Sequence, residues 1–300
     1  MNYLSQCVSI IIVTKNRPDM INRCLDRLYK QYAADVQIIV VDSSSNSLSK
    51  EAVFSKYPKT IYLCIPNGKN NRHLAKNLGI KNATGDIVAF LDDDSIVQDG
   101  WLEACVESYT SDDIGGTGGI IIDTNSPQEA YGTDQIGTIT FNGTRIGNFN
   151  KDPQKIIEVE HLRGCNMSFR RAVLQQIGGF DLNYTGSNVL EETDLSVRVR
   201  KAGYKIIFNP KMAVIHTAAP RESILRTTFN LRREFYIARN STYFMLKNFG
   251  LIRTLTYIFT NNTNIPAFIR KPKFNTFYCV FVSMFGKMIG LLAAVKTKIK

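Results

Sequence analysis

Val8-Ser9-Ile10-Ile11-Ile12-Val13-Thr14, running on into Lys15-Asn16-Arg17-Pro18, decides how this chain folds. Seven residues, nearly all apolar and most of them β-branched, read as a strand covered on both faces, the kind found inside parallel sheets. Pro18 suits the first turn of a helix, where a missing N–H costs nothing. Met20, Ile21, Cys24, Leu25 and Leu28 then recur at spacings of three and four, the apolar face of that helix. The unit repeats outward. A strand over 36–41 ends at Asp42 in a serine-rich turn, and a helix over 49–57 and a strand over 60–64 follow. A helix over 72–82 and a strand over 87–91 then run into Asp92-Asp93-Asp94. Strands alternating with helices across short turns predict a mostly parallel, Rossmann-like α/β sheet flanked by helices. Ligands of such sheets bind beyond the carboxyl ends of the strands. Residues 14–17, 42–44 and 92–94 would meet at that one edge.

Three hundred residues are enough for one large domain with an appendage, and the composition is that of an ordinary globular protein. The net charge of +11 is unevenly placed. Residues 221–300 hold 14 Lys/Arg against Glu222 and Glu234, a local +12, whereas residues 1–220 sum to −1. The six cysteines show no CxxC pair and read as small core residues in a reducing compartment. The N-terminus lacks a basic n-region and a long apolar run, so a cytoplasmic protein is expected. Residues 112–160 are rich in Gly, Thr and Asn and read as a mixed β excursion. Gly115-Gly116-Thr117-Gly118-Gly119 fits neither a dinucleotide fingerprint nor a phosphate-binding P-loop.

Three consecutive aspartates repel one another unless a counterion is present. A divalent cation relieves the repulsion, and Mg²⁺ typically takes one or two carboxylates together with phosphate oxygens. An acidic turn capping the helix near Trp101 is the structural alternative.

The segments VSIIIVTKNRP (8–18), VVDSSS (40–45), NGKNNRHLAKNLGIKNATGDIVAFLDDD (67–94), GCNMSFRRAVLQQIGGFDLNYTGSNVLEETDLSVRVRKAGYKIIFNP (164–210) and AVIH (213–216), in that order, resemble the family 2 glycosyltransferases over about residues 8–216. The resemblance implies a GT-A fold over 1–220, with a nucleotide-sugar half to about 110 and an acceptor half beyond it. It implies inverting transfer from a nucleoside-diphosphate sugar, UDP-linked first of all, to a hydroxyl of a glycan or lipid-linked acceptor. Cell-envelope or polysaccharide synthesis would be the setting, with Mg²⁺ or Mn²⁺ as cofactor and no nucleic-acid partner. Thr14, Asn16, Arg17 and Asp42 would line the nucleotide pocket, although an Asx-turn also accounts for Asp42. Arg72 and Lys76 would lie near the donor or on a solvated helix face. Asp92 would meet the ribose and the metal, Asp94 the metal, and His216 would complete the metal shell. Asp93 would touch the nucleotide or fill the turn. Asn166 would contact the sugar, and Trp101 would stack on the acceptor or pack its helix into the core. Glu191-Glu192, where many members read Glu-Asp, would supply the base that accepts the acceptor proton. Glu192 aligns with the family's base, and Glu191 remains the alternative.

Residues 221–300 form a helical, basic extension. Within 274–295, Phe277, Phe281, Met284, Phe285, Met288, Leu291 and Leu292 fall on one helical face, leaving Ser283 and Lys287 to the side. That pattern suits a helix lying on an anionic inner membrane face, ahead of a core helix or a true span. Two other classes compete with the transferase: a sugar nucleotidyltransferase, and a non-catalytic basic module binding membrane or nucleic acid. The first usually carries a glycine-rich loop after its first strand, which residues 14–18 lack.

Overall fold

The structure is a computed structural model describing residues 7–32, 36–65, 72–124, 134–186, 189–217, 231–260 and 274–298, the side chains of 274–280 and Lys298 excepted. Strand β1 (Val8–Thr14) lies between β2 (Val36–Asp42) and β4 (Ile87–Asp92), parallel to both, and β3 (Ile61–Cys64) extends the sheet beyond β2. Ile10, Ile11 and Ile12 are fully buried, each adding about 2 kcal/mol of hydrophobic stabilisation. Helices α1 (Pro18–Tyr32), α2 (Leu48–Lys56) and α3 (Arg72–Asn82) connect these strands. Pro18 opens α1, which buries Ile21, Cys24, Leu25, Leu28 and Tyr32.

Beyond β4 the sheet becomes mixed. Strand β5 (Ser95–Val97) turns back and α4 (Trp101–Glu107) follows. The sheet is completed by β6 (Ile114–Asp123), β10 (Met167–Arg170) and β11 (Lys205–His216), in the spatial order β4-β10-β6-β11-β5, with short β9 (Ile157–Glu158) on β11. Strand β10 runs antiparallel to both β4 and β6, whereas β6 and β11 are parallel. The hairpin β7 (Thr138–Ile139) and β8 (Arg145–Ile146) stands apart.

Within the expected β excursion, the glycine-rich run 115–119 is a central strand of the sheet. A Cβ on Gly116 would meet the Phe169 ring at 2.6 Å, and one on Gly118 the carbonyl of Asn166 at 2.7 Å. Close packing against β10 requires bare backbone there. The cysteines divide: Cys24, Cys105 and Cys165 are buried as expected, but Cys7 and Cys64 are exposed at strand ends. Cys279 lies among the side chains outside the described set.

Helices α5 (Arg171–Gln176) and α6 (Glu191–Lys201) flank the sheet, and α7 (Leu231–Thr260) and α8 (Phe274–Lys298) form the C-terminal pair. Helix α7 is two helices meeting at Gly250, whose φ of 78° suits glycine. Tyr243, Phe244 and Met245 of α7 and Ala294 of α8 share a small core with Tyr184, Leu190 and Val197, which joins the pair to α6.

Candidate active site

Strand pairing assembles the polar edge. Thr14 stands opposite Asp42, and Val13 opposite Asp92, so β1, β2 and β4 end together. The short β5 carries the chain back against β11, pairing Ser95 with His216, and His216 in turn pairs with Asp123 at the end of β6. Thr217 N donates to the Asp94 carbonyl at 2.9 Å and pins the turn. Strands distant in sequence thus place Asp92, Asp94, His216 and Asp123 in one corner.

The three aspartates solve their repulsion differently. Asp93 turns inward, accepting from Thr14 Oγ1 at 2.7 Å and from the Arg17 guanidinium at 3.0 Å. Burial, opposed by Arg17 and reinforced by Asp94, pushes its pKa up to about 6. Asp94 is 3 % exposed, with His216 Nε2 3.2 Å from Oδ1 and Arg17 3.5 Å from Oδ2. Burial pushes Asp94 up, but His216 and Arg17 outweigh it and hold it below the usual carboxylate range. His216 moves the other way: burial disfavours its charge, yet the Asp94 carboxylate raises its pKa. Asp92 is half-buried and lines the pocket.

Ligand atoms of Asp92, Asp94 and His216 all lie within 4.8 Å of one another. Asp94 Oδ1 is buried without a well-aligned hydrogen-bond donor, and so is His216 Nδ1, 3.5 Å from Asp123 Oδ2. An orphaned buried carboxylate oxygen beside an imidazole nitrogen is the donor set a divalent cation takes. These residues fit a metal.

The second acidic pair arrives on α6. Leu190 holds a φ of 78°, rare for a branched residue, and the helix starts immediately after it. Glu192 is fastened at both oxygens: Lys76 Nζ donates to Oε1 at 2.7 Å and Gly164 N to Oε2 at 2.8 Å. A side chain on Gly164 would collide with that carboxylate and would displace it. Lys76 is 3 % exposed and lies over the Phe180 ring at 5.0 Å, so the solvated-face reading of this lysine does not hold. Burial opposes both charges of the Lys76–Glu192 pair, and each partner outweighs it for the other. Lys76 is raised and Glu192 lowered. Glu191 is buried beside Glu192, and burial with that neighbouring charge pushes it up to about 8. At neutral pH the pair is split: Glu192 ionised, Glu191 protonated.

Behind them, Asp194 is fully buried and accepts from Tyr184 at 3.0 Å, Arg198 at 2.7 Å, Lys247 at 2.8 Å and Asn248 at 2.8 Å. It clamps α6 to α7, in keeping with an orienting role.

A pocket of about 300 Å³ joins both acidic groups. Thr14, Arg17, Arg72, Lys76, Asp92, Asp93, Asp94, Glu191, Glu192 and His216 line it, which brings together most of the expected residues. Four others lie elsewhere. Trp101 is wholly buried and donates from Nε1 to Asn166 Oδ1 at 2.9 Å, so it packs its helix and presents no face to an acceptor. Asn166 spends its amide on the Ile120 and Met212 carbonyls, at 3.1 and 2.7 Å, and braces strands instead of meeting a sugar. Asp42 accepts from Ser44 N at 2.7 Å, the Asx-turn, and from the Tyr62 hydroxyl, leaving neighbouring Ser43 to line the pocket. Asn16 ties the first two strand ends together, accepting from Ser45 N at 3.1 Å. Arg163 also lines the pocket, 3.4 Å from Asp123. Nothing in its local sequence marks Arg163. Asp123, ending an apolar strand as Asp42 and Asp92 do, carried a readable signal.

Buried carboxylates, a histidine and several cations thus meet in one pocket at the carboxyl edge of a mixed α/β sheet, the arrangement of an enzyme site. The family model described as Glycosyl transferase family 2 matches residues 9–178, more than half of the chain, and the chain belongs to that family. It is similar to glycosyltransferase AglE of Haloferax volcanii, 24% identical over 229 residues, covering 75% of this chain and 71% of that protein. It is also similar to the succinoglycan biosynthesis protein ExoM of Rhizobium meliloti, 26% identical over 221 residues, covering 71% and 67%. Among solved structures, mannosyltransferase PcManGT from Pyrobaculum calidifontis, in complex with GDP-Man and Mn²⁺, superposes with a TM-score of 0.57 at 16% identity over 97% of this chain and 86% of that one. The fold is GT-A and the protein is a glycosyltransferase.

Proposed function

We propose that this enzyme transfers a sugar, with inversion, from a nucleoside-diphosphate sugar to a hydroxyl of a glycan or lipid-linked acceptor, a UDP-sugar being the first donor to test. The observation that supports this reading is the split carboxylate pair on α6 facing the acidic corner of the sheet across one pocket. The acceptor oxygen attacks the anomeric carbon, the bond from that carbon to the diphosphate breaks, and Glu192 takes the hydroxyl proton. Lys76 and the Gly164 amide hold Glu192 ionised and aimed. Arg72 and Arg163 line the pocket where a diphosphate's charge would fall. Mg²⁺ or Mn²⁺, held by Asp94, Asp92 and His216, would supply positive charge to the departing diphosphate. PcManGT carries Mn²⁺ with its nucleotide sugar, which favours the same requirement here.

A panel of nucleotide sugars, assayed for nucleoside-diphosphate release with Mn²⁺ or with chelator, tests this reading. One donor should turn over well above the rest, and only with metal. Pyrophosphate release from a nucleoside triphosphate plus sugar phosphate would point to nucleotidyl transfer instead.

A further inference from the structure

The C-terminal helices turn their chemistry inside out. Along α8, Phe281, Met284, Phe285, Met288, Leu292 and Val295 are 47–63% exposed. Lys287, in their midst, is only 4 % exposed. Its ammonium donates to the Ile258 carbonyl at 3.1 Å and lies 5.4 Å from the Tyr257 ring centroid. Past the Gly250 break in α7, Leu251, Ile252, Leu255 and Phe259 are likewise exposed, at 42–76%.

Each set follows the three-and-four spacing of a single helical stripe. The α8 stripe runs about 21 Å along the helix, at 1.5 Å per residue. A helix facing water shows the opposite pattern, and scattered single exposures are a different matter from two adjacent stripes.

Charge selects the occupant. Residues 235–300 contain ten Lys/Arg and no Asp or Glu; Arg239, Lys247, Arg253 and Lys287 bond within the fold, and the other six lie in sequence just before α8 or in its last turn and tail. Two copies packed through this face would gather like charges with no acid to pair them, whereas an anionic lipid surface neutralises them at about 1 kcal/mol per basic residue near it. No helix among the described residues is long and apolar enough to cross a membrane, so the geometry is that of helices lying in the interface. We propose that the outward face of α7 and α8 seats the protein on an anionic lipid bilayer, with both stripes in the acyl boundary and the flanking cations at the headgroups.

Co-sedimentation of the full chain with vesicles tests this without donor or turnover, so the outcome is independent of the transfer reaction. The protein should bind vesicles of phosphatidylcholine with one-third phosphatidylglycerol, and bind pure phosphatidylcholine roughly tenfold more weakly or worse. The double substitution Phe281→Ser with Met288→Ser should weaken binding at least about tenfold, since two large side chains leave the lipid. Both residues are exposed, so the melting temperature should hold. Phe54→Ser, an exposed aromatic on α2, should leave binding unchanged. Equal partitioning of the double variant and the native protein would overturn the proposal. So would lipid-independent dimerisation that the same double substitution abolishes.

Discussion

The carboxyl edge of the sheet and the C-terminal helix pair break the usual rule of burial in opposite senses. At the edge, Asp93, Asp94, Glu191 and His216 are each under 5 % exposed, though burying charge costs several kcal/mol per ion unless it is compensated. On α8 Lys287 is inside while Phe281 and Phe285 are outside. On the two proposals above, both regions face something other than water: one would take cations and phosphates, the other hydrocarbon beside negative charge. Between them lies a stretch that obeys the rule, where Asp194 is buried but fully satisfied by four donors. Polar groups left short of partners mark a ligand site, and polar groups with all their partners mark scaffolding.

Substitutions can break this contrast one region at a time. Among the substitutions at the sheet's acidic corner, Asp94→Ala should have the largest effect. Several kcal/mol of electrostatic stabilisation would go, and turnover should fall by about a hundredfold or more. Added Mn²⁺ should no longer raise the activity of that variant, and steady-state assays across a metal titration check both outcomes. Asp194→Asn should act on stability. Arg198 would lose its buried counter-charge and Lys247 one of its two carboxylates, Asp181 remaining at 2.6 Å, at a cost of about 3 kcal/mol, read as a melting temperature lowered by several degrees. The reverse pattern, a stable protein without activity, would move Asp194 into the site.

A smaller effect separates the two glutamates. Burial beside the Glu192 charge pushes Glu191 up to about 8 in the folded protein, well above the ordinary glutamate value of about 4.5, so the fold binds a proton that the unfolded chain has released. Its contribution to stability is therefore full below about 4.5, declines as pH rises, and is lost by about 8. Glu191→Gln should melt higher than the native protein at pH 8 and nearly equal to it at pH 4.5. Thermal melts of the ligand-free protein at the two values check this.

Much of the fold was legible because its first half repeats one pattern. VSIIIVT, VQIIVVD and IVAFLD are unbroken apolar runs ending in polar residues, and hydrophobic periodicity reads such strands reliably. The second half was less legible. MSFR is a four-residue strand with no alternation to reveal it. GGTGG reads only as part of a mixed β excursion, since its reason for lacking side chains, the Phe169 ring and the Asn166 carbonyl, lies far along the chain. The site followed the same division. Residues ending a strand or opening a helix were found from local sequence, as with Asp94, His216 and Glu192. For Trp101 the sequence leaves acceptor stacking and core packing both open, and only its hydrogen bond to Asn166, a relation no local pattern carries, shows that it packs. For Lys76 the sequence leaves a place near the donor and a solvated helix face both open, and only the fold brings it to Glu192 as a counterion.

The account rests most heavily on Glu192 as the ionised carboxylate that accepts the acceptor proton. Replacing it by Gln keeps the side chain's shape and removes the charge. Nucleotide affinity and turnover of the Glu192→Gln variant, measured side by side with the native enzyme under saturating Mn²⁺, test that role directly. Affinity for the nucleoside diphosphate should stay within a few-fold while turnover falls by on the order of a thousandfold, within the range a positioned base supplies. Native-like turnover in the variant, with donor and metal bound, would contradict the account.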